Sequence, residues 1–260
     1  MTGIDLSHAP NSRIARVIEA ALAENLVLVI HDQNLTPSQL LDTVAMLGRI
    51  MPQHLVSLRL PGHPEIVVLD SRNTKTGADG KTIPIGARDW HTDHAHQERP
   101  PNYTALYALH LPDRGGDTSF ANMQAAFAAL PKVEQIKLEA MMVITKIDDR
   151  YSSSWDAKEH QKPTRHPLVR THPVTKRKAI YFHPGMVNHI DEMTPAQSHL
   201  YLENLLKRAI TPELTYRHKW RLGDLVIMDN RGQMHVAHTD YDFSSGRRLH
   251  RVLVEGEVPY

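Results

Sequence analysis

LTYRHKWRLGDLVIMDN, residues 214–230, contains two strand-like runs, LTYRHKW and GDLVIMDN, with only Arg221 and Leu222 between them. A third run, RRLHRVLVEGE, follows at residues 247–257, and similar runs lie upstream at residues 26–32 and 103–109. Short strands that follow one another without regular alternation with helices are typical of a β-sandwich or a jelly roll. The sequence therefore predicts a mainly β fold.

Helical patterns are few and lie between these strand-like runs. Apolar residues recur at helical spacing from Ile14 to Leu22. Thr36-Pro37 and Thr194-Pro195 each combine an N-cap residue with proline at the first helical position. We expect the helices that begin at these places to flank the β structure.

The chain shows no sign of division into several domains. It has no internal repeat, low-complexity tract or break in composition, so residues 1–260 are interpreted as a single domain. Two polar stretches, near residues 71–88 and 150–166, are predicted to be long loops. Because loops of this length often cover binding sites, we expect both to act as lids.

Composition excludes several classes of function. The 30 Lys and Arg residues nearly balance 29 Asp and Glu residues, which leaves a net charge of +1 and does not favour nucleic-acid binding. No segment has the roughly 18 consecutive apolar residues of a membrane span, and the first residues lack the pattern of a secretory signal. We therefore expect a cytoplasmic location and no membrane partner.

The densest cluster of metal-binding side chains is DWHTDHAHQERPP, residues 89–101. The chain has 18 His and no Cys, so a transition-metal site must use imidazole and carboxylate ligands. In an extended segment His91 and Asp93 point to the same side and can chelate one cation. The alternative is a simple hydrogen bond between the two side chains. His94 and His96 could compete as ligands, and the spacing alone does not identify a third ligand.

Several blocks of sequence together resemble the taurine dioxygenase (TauD/TfdA-like) family of Fe(II)- and 2-oxoglutarate-dependent oxygenases. These blocks are WHTD (90–93), GGDTSFANMQAAFAALP (115–131), HPLVRTHPVTKRKAIYF (166–182), WRLGDLVIMDNRGQMHVAH (220–238) and GRRLHRVLVEGE (246–257). The family includes enzymes that degrade sulfonates, alkyl sulfates and phenoxyalkanoates. The resemblance implies a double-stranded β-helix, or jelly roll, with flanking helices.

The resemblance also implies a set of site residues. His91, Asp93 and His235 match the family's metal ligands, with His238 as a competing candidate for the last position. Thr118 and Arg247 match the residues that hold the far carboxylate of 2-oxoglutarate. The implied cofactor is Fe(II), with 2-oxoglutarate and O₂ as co-substrates.

The primary substrate is expected to be a small anion. Arg251 matches a position that grips the substrate anion in several relatives, and in a strand it shares a face with Arg247. Two inward arginines need two anions if neither charge is to stay buried without a partner. His96 and Met186 stand where taurine-binding aromatic residues would be, so they are candidate substrate-binding residues and taurine itself is not favoured. Dimers or tetramers are common in the family, so a homo-oligomer is expected.

The expected reaction is hydroxylation of a sulfonate, sulfate ester, phenoxyalkanoate or similar compound, with release of succinate and CO₂. Two other classes remain open at this point. One is a metal-dependent hydrolase that uses the same His/Asp/His site, and the other is a non-catalytic cupin-like binding protein. Succinate formation coupled to O₂ uptake distinguishes the dioxygenase from both.

Overall fold

A computed structural model describes residues 1–8, 12–53, 55–76, 82–84, 89–146 and 162–260. Its largest element is an antiparallel six-stranded sheet with the strand order β1-β14-β6-β16-β3-β2. The strands of this sheet are β1 (Val27–Ile30), β2 (Arg59–Leu60), β3 (His63–Asp70), β6 (Tyr103–His110), β14 (Leu225–Asp229) and β16 (Arg248–Val254).

Two three-stranded sheets and two hairpins complete the β structure of the described residues. One sheet has the order β13-β7-β15, and the other has the order β12-β8-β9. Their strands are β7 (Thr118–Asn122), β13 (Thr215–His218), β15 (Gln233–Ala237), β8 (Met142–Thr145), β9 (Thr164–Pro167) and β12 (Val187–Ile190). The hairpins are β4 (Thr74–Thr76) with β5 (Thr82–Pro84), and β10 (Val169–Thr171) with β11 (Lys178–Ile180).

Five helices flank these sheets in the described residues. They are α1 (Ser12–Asn25), α2 (Pro37–Ala45), α3 (Met123–Ala128), α4 (Lys132–Glu139) and α5 (Pro195–Ala209). Helices α2 and α5 begin as the sequence predicts, because Thr36 and Thr194 each form a complete capping box with the glutamine three residues later. No helix in the described ranges is long and apolar enough to cross a membrane.

The two faces of the six-stranded sheet have different surroundings. Helices α1 and α2 cover one face, where Leu22 and Val44 join Tyr107 and Val252 in one apolar cluster. On the other face, Leu106 and Leu249 pack with Phe120 of the β13-β7-β15 sheet. The expected mainly β jelly-roll fold with flanking helices is confirmed.

Strand alternation carries polar side chains to this second, inner face. In β6 the outward residues pack on the helices, so Thr104 points inward with Leu106. In β16, Arg251 pairs with Leu106 and lies on the same face as Leu249. The fold therefore places a threonine hydroxyl and a guanidinium inside an otherwise apolar layer.

Both stretches predicted to be loops contain strand residues in the structure. The stretch 71–88 contains the short hairpin β4–β5, which its polar composition did not predict, and residues 77–81 and 85–88 lie outside the described residues. The stretch 150–166 ends in β9, which pairs with β8, and residues 147–161 lie outside the described residues. A lid function for either stretch remains a prediction.

We predict that Gly223→Ala lowers the free energy of unfolding more than Gly62→Ala does. Both glycines have positive φ, +77° and +80°, so alanine at either position costs roughly 1–2 kcal/mol of backbone strain. At Gly223 the added Cβ would also meet the Gln33 carbonyl oxygen at 2.5 Å, whereas nothing lies within 4 Å at Gly62. Urea denaturation of both variants measures the difference, and equal losses would contradict this account of the turn.

Candidate functional site

A two-residue antiparallel bridge joins His91 to His235 of β15. The His91 N–H donates to the His235 carbonyl at 3.0 Å, and the His235 N–H donates to the His91 carbonyl at 2.8 Å. Residues paired in this way project their side chains to the same side, and the two ring centroids lie 4.2 Å apart. Two imidazoles from distant parts of the chain therefore become neighbours.

Asp93 completes the cluster beside the two imidazoles. Its Oδ1 lies 3.7 Å from Nε2 of His91. Its Oδ2 accepts a hydrogen bond from the Thr104 hydroxyl at 2.6 Å, and that hydroxyl accepts from Nδ2 of Asn230 at 2.9 Å. One carboxylate oxygen is thus held by the sheet, and the other faces His91.

The nitrogen of His91 that faces Asp93 is available as a ligand. Its Nδ1 lies 2.8 Å from the Asp89 carbonyl oxygen, so Nδ1 carries the proton and donates it there. The Nε2 lone pair is then directed toward Asp93. Such a contact from the second ring nitrogen fixes the tautomer and orientation of metal-binding histidines in general.

The three side chains fit a metal ion. His91, Asp93 and His235 are buried, and each offers one ligand atom within 4.8 Å of the others; among the described residues this is the one such cluster. Burial, together with the nearby His91, lowers the pKa of His235 to about 3. Burial opposes ionisation of Asp93, but His235, Arg251 and His91 outweigh it and lower its pKa. Neutral imidazole and ionised carboxylate are the forms that bind metals.

A cationic pocket lies near the cluster, at the start of β16 and β7. Arg247 donates from Nε to the Gly116 carbonyl at 2.7 Å and from Nη2 to the Thr118 hydroxyl at 3.1 Å. The Trp220 indole N–H also donates to Thr118, at 3.0 Å, and its ring lies 5.5 Å from the Arg247 guanidinium. The Arg247 side chain is buried, which lowers its pKa. Within the described ranges, no carboxylate forms an ion pair with it. A bound anion would supply the missing charge.

Arg251 is a second arginine near the cluster, and most of its side chain is buried. Its Nη1 lies 3.7 Å from Oδ1 of Asp93, and the side chain is 11% exposed. Among the described residues, its Nε and Nη2 have no hydrogen-bond partner. Burial lowers its pKa, although Asp93 acts in the opposite direction. By contrast, Arg248 pairs with Asp70 at 3.0 Å and is about half exposed, as expected of a surface charge.

The other residues singled out from the sequence lie at different places. His238 is outside the cluster, because its Nε2 pairs with the Ser119 hydroxyl at 2.7 Å. His94 and His96 are buried with their rings 5.7 Å apart, and neither belongs to the cluster. Met186 is half-buried at the end of a short 3₁₀ turn, Pro184–Met186.

Four neighbours of the site were missed from the sequence: Thr104, Trp220, Asn230 and His183. Thr104 carries a signal, since it is a polar residue at an inward position of an apolar strand. Asn230 adjoins the buried strand β14, but nothing in the sequence directs its amide to Thr104. His183 lies with its ring centroid 5.2 Å from that of His91, and burial lowers its pKa well below the usual value. No periodic pattern marks it.

Comparison with known proteins gives a consistent result. The model of the family described as "Taurine catabolism dioxygenase TauD, TfdA family" matches residues 2–253. The α-ketoglutarate-dependent 2,4-dichlorophenoxyacetate dioxygenase of Cupriavidus pinatubonensis is 32% identical over 263 residues, which cover 95% of this chain and 91% of that protein. An α-ketoglutarate-dependent sulfate ester dioxygenase of Pseudomonas putida is 28% identical, with 99% and 86% covered.

A solved structure has the same fold. The crystal structure of a taurine dioxygenase from Burkholderia xenovorans superposes with a TM-score of 0.83 at 29% identity. The match covers 99% of this chain and 85% of that one.

We predict that Mn(II) binding depends on His91 and not on His238. His91→Ala should abolish binding in isothermal titration calorimetry, whereas His238→Ala, which changes a histidine bonded to Ser119, should bind as the wild type does. Thr104→Val should weaken Mn(II) binding about 10- to 100-fold, because it removes the hydroxyl that orients the Asp93 carboxylate. Full loss in His238→Ala with retention in His91→Ala would contradict the assignment.

Proposed function

Because this chain belongs to the taurine catabolism dioxygenase TauD, TfdA family, we propose that it is an Fe(II)- and 2-oxoglutarate-dependent dioxygenase. It hydroxylates a small anionic organic substrate and releases succinate and CO₂. The observation that carries this proposal is the buried cluster of two histidines and one aspartate, which lies beside Arg251, an arginine whose Nε and Nη2 have no hydrogen-bond partner among the described residues.

His91, Asp93 and His235 would hold the iron. Two imidazoles and one carboxylate on one side of an ion leave its other positions open, which is the arrangement of non-haem iron oxygenases. Bound Fe(II) supplies the redox chemistry that couples O₂ to oxidation of the two organic substrates. The chain's own contribution is to orient the ligands: Asp89 fixes the His91 ring, and Thr104 fixes the Asp93 carboxylate.

Arg247 and Thr118 would bind the far carboxylate of 2-oxoglutarate. A guanidinium and a hydroxyl together offer charge and directed donors to a carboxylate. Trp220 donates to Thr118 and stacks near Arg247, so it holds both groups in place. The pocket lacks an acidic partner among the described residues, which leaves the arginine's charge for the co-substrate.

Arg251 would bind the anionic group of the primary substrate. Two of its nitrogens have no partner in the described part of the chain, and its third lies 3.7 Å from Asp93, so an anion held there would lie next to the proposed metal site. The relatives are named for a phenoxyacetate and for sulfate esters, which supports a carboxylate, sulfonate or sulfate as the anion. His96 and Met186 remain proposed lining residues for the rest of the substrate.

Three further expectations stay proposals. They are the single domain over residues 1–260, the cytoplasmic location and the homo-oligomeric state, a dimer or tetramer. Light scattering after size-exclusion chromatography would measure the oligomeric state directly.

We predict that Arg247→Leu raises the KM for 2-oxoglutarate at least about tenfold, because it removes a charge-assisted contact of roughly 1.5–3 kcal/mol. The neighbouring Arg248→Leu is a matched control, since that side chain pairs with Asp70 at the surface. Steady-state succinate release at varied 2-oxoglutarate measures both values. Equal effects of the two substitutions would reject the assigned pocket.

We predict that an anionic compound raises succinate release and O₂ uptake above the rates measured with 2-oxoglutarate alone. The panel contains 2,4-dichlorophenoxyacetate, taurine and octyl sulfate. For the compound that gives the largest increase, Arg251→Ala should raise KM about tenfold or more through loss of a charged contact. An unchanged KM would reject the anion site, and conversion of a compound without succinate or O₂ uptake would favour the metal-dependent hydrolase.

A further inference from the structure

His183 lies beside the metal-binding cluster and has no part in the assignments above. It precedes the short turn Pro184–Met186, between β11 and β12. Its chain neighbours Phe182 and Pro184 line an apolar groove with Trp90, Leu202 and Leu206. The His183 ring does not line this groove but lies beside His91, with the two ring centroids 5.2 Å apart.

One nitrogen of His183 is a fixed and unused donor. Its Nδ1 accepts a hydrogen bond from the Gly185 N–H at 3.1 Å, so the proton of the neutral ring is on Nε2. No described residue forms a hydrogen bond with Nε2, although most of the residue is buried. The Nε2–H group is therefore held in one orientation with no protein acceptor in the described ranges.

The position of His183 decides which molecule it can contact. Strand β15 pairs on one side with β7, which carries Thr118, and on the other side with His91. The His91 segment is therefore two strand spacings, about 10 Å, from the strand of Thr118, and the His183 ring lies next to His91. A 2-oxoglutarate molecule that reaches from the cluster to Thr118 and Arg247 extends away from His183. The space next to His183 is left for the primary substrate.

The structure assigns to His183 the role of a specificity-determining residue whose Nε2–H donates a hydrogen bond to an oxygen of the primary substrate. Arg251 supplies charge from the Asp93 side of the cluster, and His183 supplies a directed donor from the His91 side. A carboxylate, sulfonate, sulfate or ether oxygen is a suitable acceptor. This assignment rests on the proposed dioxygenase function.

Two substitutions at His183 and one control test the role. His183→Leu removes the donor at similar size, and His183→Gln restores a donor amide at similar reach. His199→Leu is the control, because its imidazole bonds the Val187 carbonyl and lines the groove on the other side of the turn. Each protein is loaded with Fe(II) and assayed with 2,4-dichlorophenoxyacetate, taurine and octyl sulfate, and Mn(II) affinity and thermal stability are measured in parallel.

For the compound that most stimulates the wild type, His183→Leu should raise KM about 10- to 100-fold, as expected for loss of a hydrogen bond to a charged acceptor. Its kcat, its KM for 2-oxoglutarate and its Mn(II) affinity should change less than about threefold, within the precision of such comparisons. His183→Gln should restore KM to within about threefold of the wild type, and His199→Leu should match the wild type in KM, kcat and Mn(II) affinity.

The failures are distinguishable. If no compound stimulates the wild type, the proposed function is rejected and the role of His183 with it. If the wild type is stimulated but His183→Leu has an unchanged KM, only the role of His183 is rejected. Loss of Mn(II) affinity in both His183 variants would show that the side chain positions His91, and would likewise reject the substrate contact.

Discussion

The pair of backbone hydrogen bonds between His91 and His235 is the constraint on which the site depends. It sets the register of the segment that carries His91 and Asp93 against β15. The bridge aligns two imidazoles whose chain positions are far apart, and the inward-facing Thr104 of β6 then sets the angle of the carboxylate. The jelly-roll core serves to hold these two β elements at a fixed distance from each other.

Buried positive charge is the second organising feature. Arg247 is buried and Arg251 is largely buried, and an unneutralised cation in such a place is costly. The fold offsets part of that cost with the Gly116 carbonyl, the face of Trp220 and the nearby Asp93 carboxylate. The positive charge that these groups do not neutralise would be neutralised by the proposed anionic substrates. Stability is thus given up at the positions where the proposed substrates would restore it.

The sequence predicted strands β1, β6, β13, β14 and β16, the two capped helices and the His91–Asp93 pair, because each depends on residues close together in the chain. The third ligand required the resemblance, since no local pattern relates His235 to His91. Thr104, Trp220, Asn230 and His183 were missed for the same reason: their roles arise from contacts across the sheets. The hairpin β4–β5 was missed because its polar residues resemble those of a loop.

The two arginines stand four residues apart on one extended segment, so their Cα atoms are about 13 Å apart. Because an extended backbone has a nearly fixed length, the distance between the two proposed anion-binding groups would be nearly fixed as well. A substrate of different length would not be accommodated by moving either arginine along the strand. Adaptation to new compounds would instead be concentrated in the turn that follows His183, where insertions and replacements would leave the spacing of the two arginines unchanged.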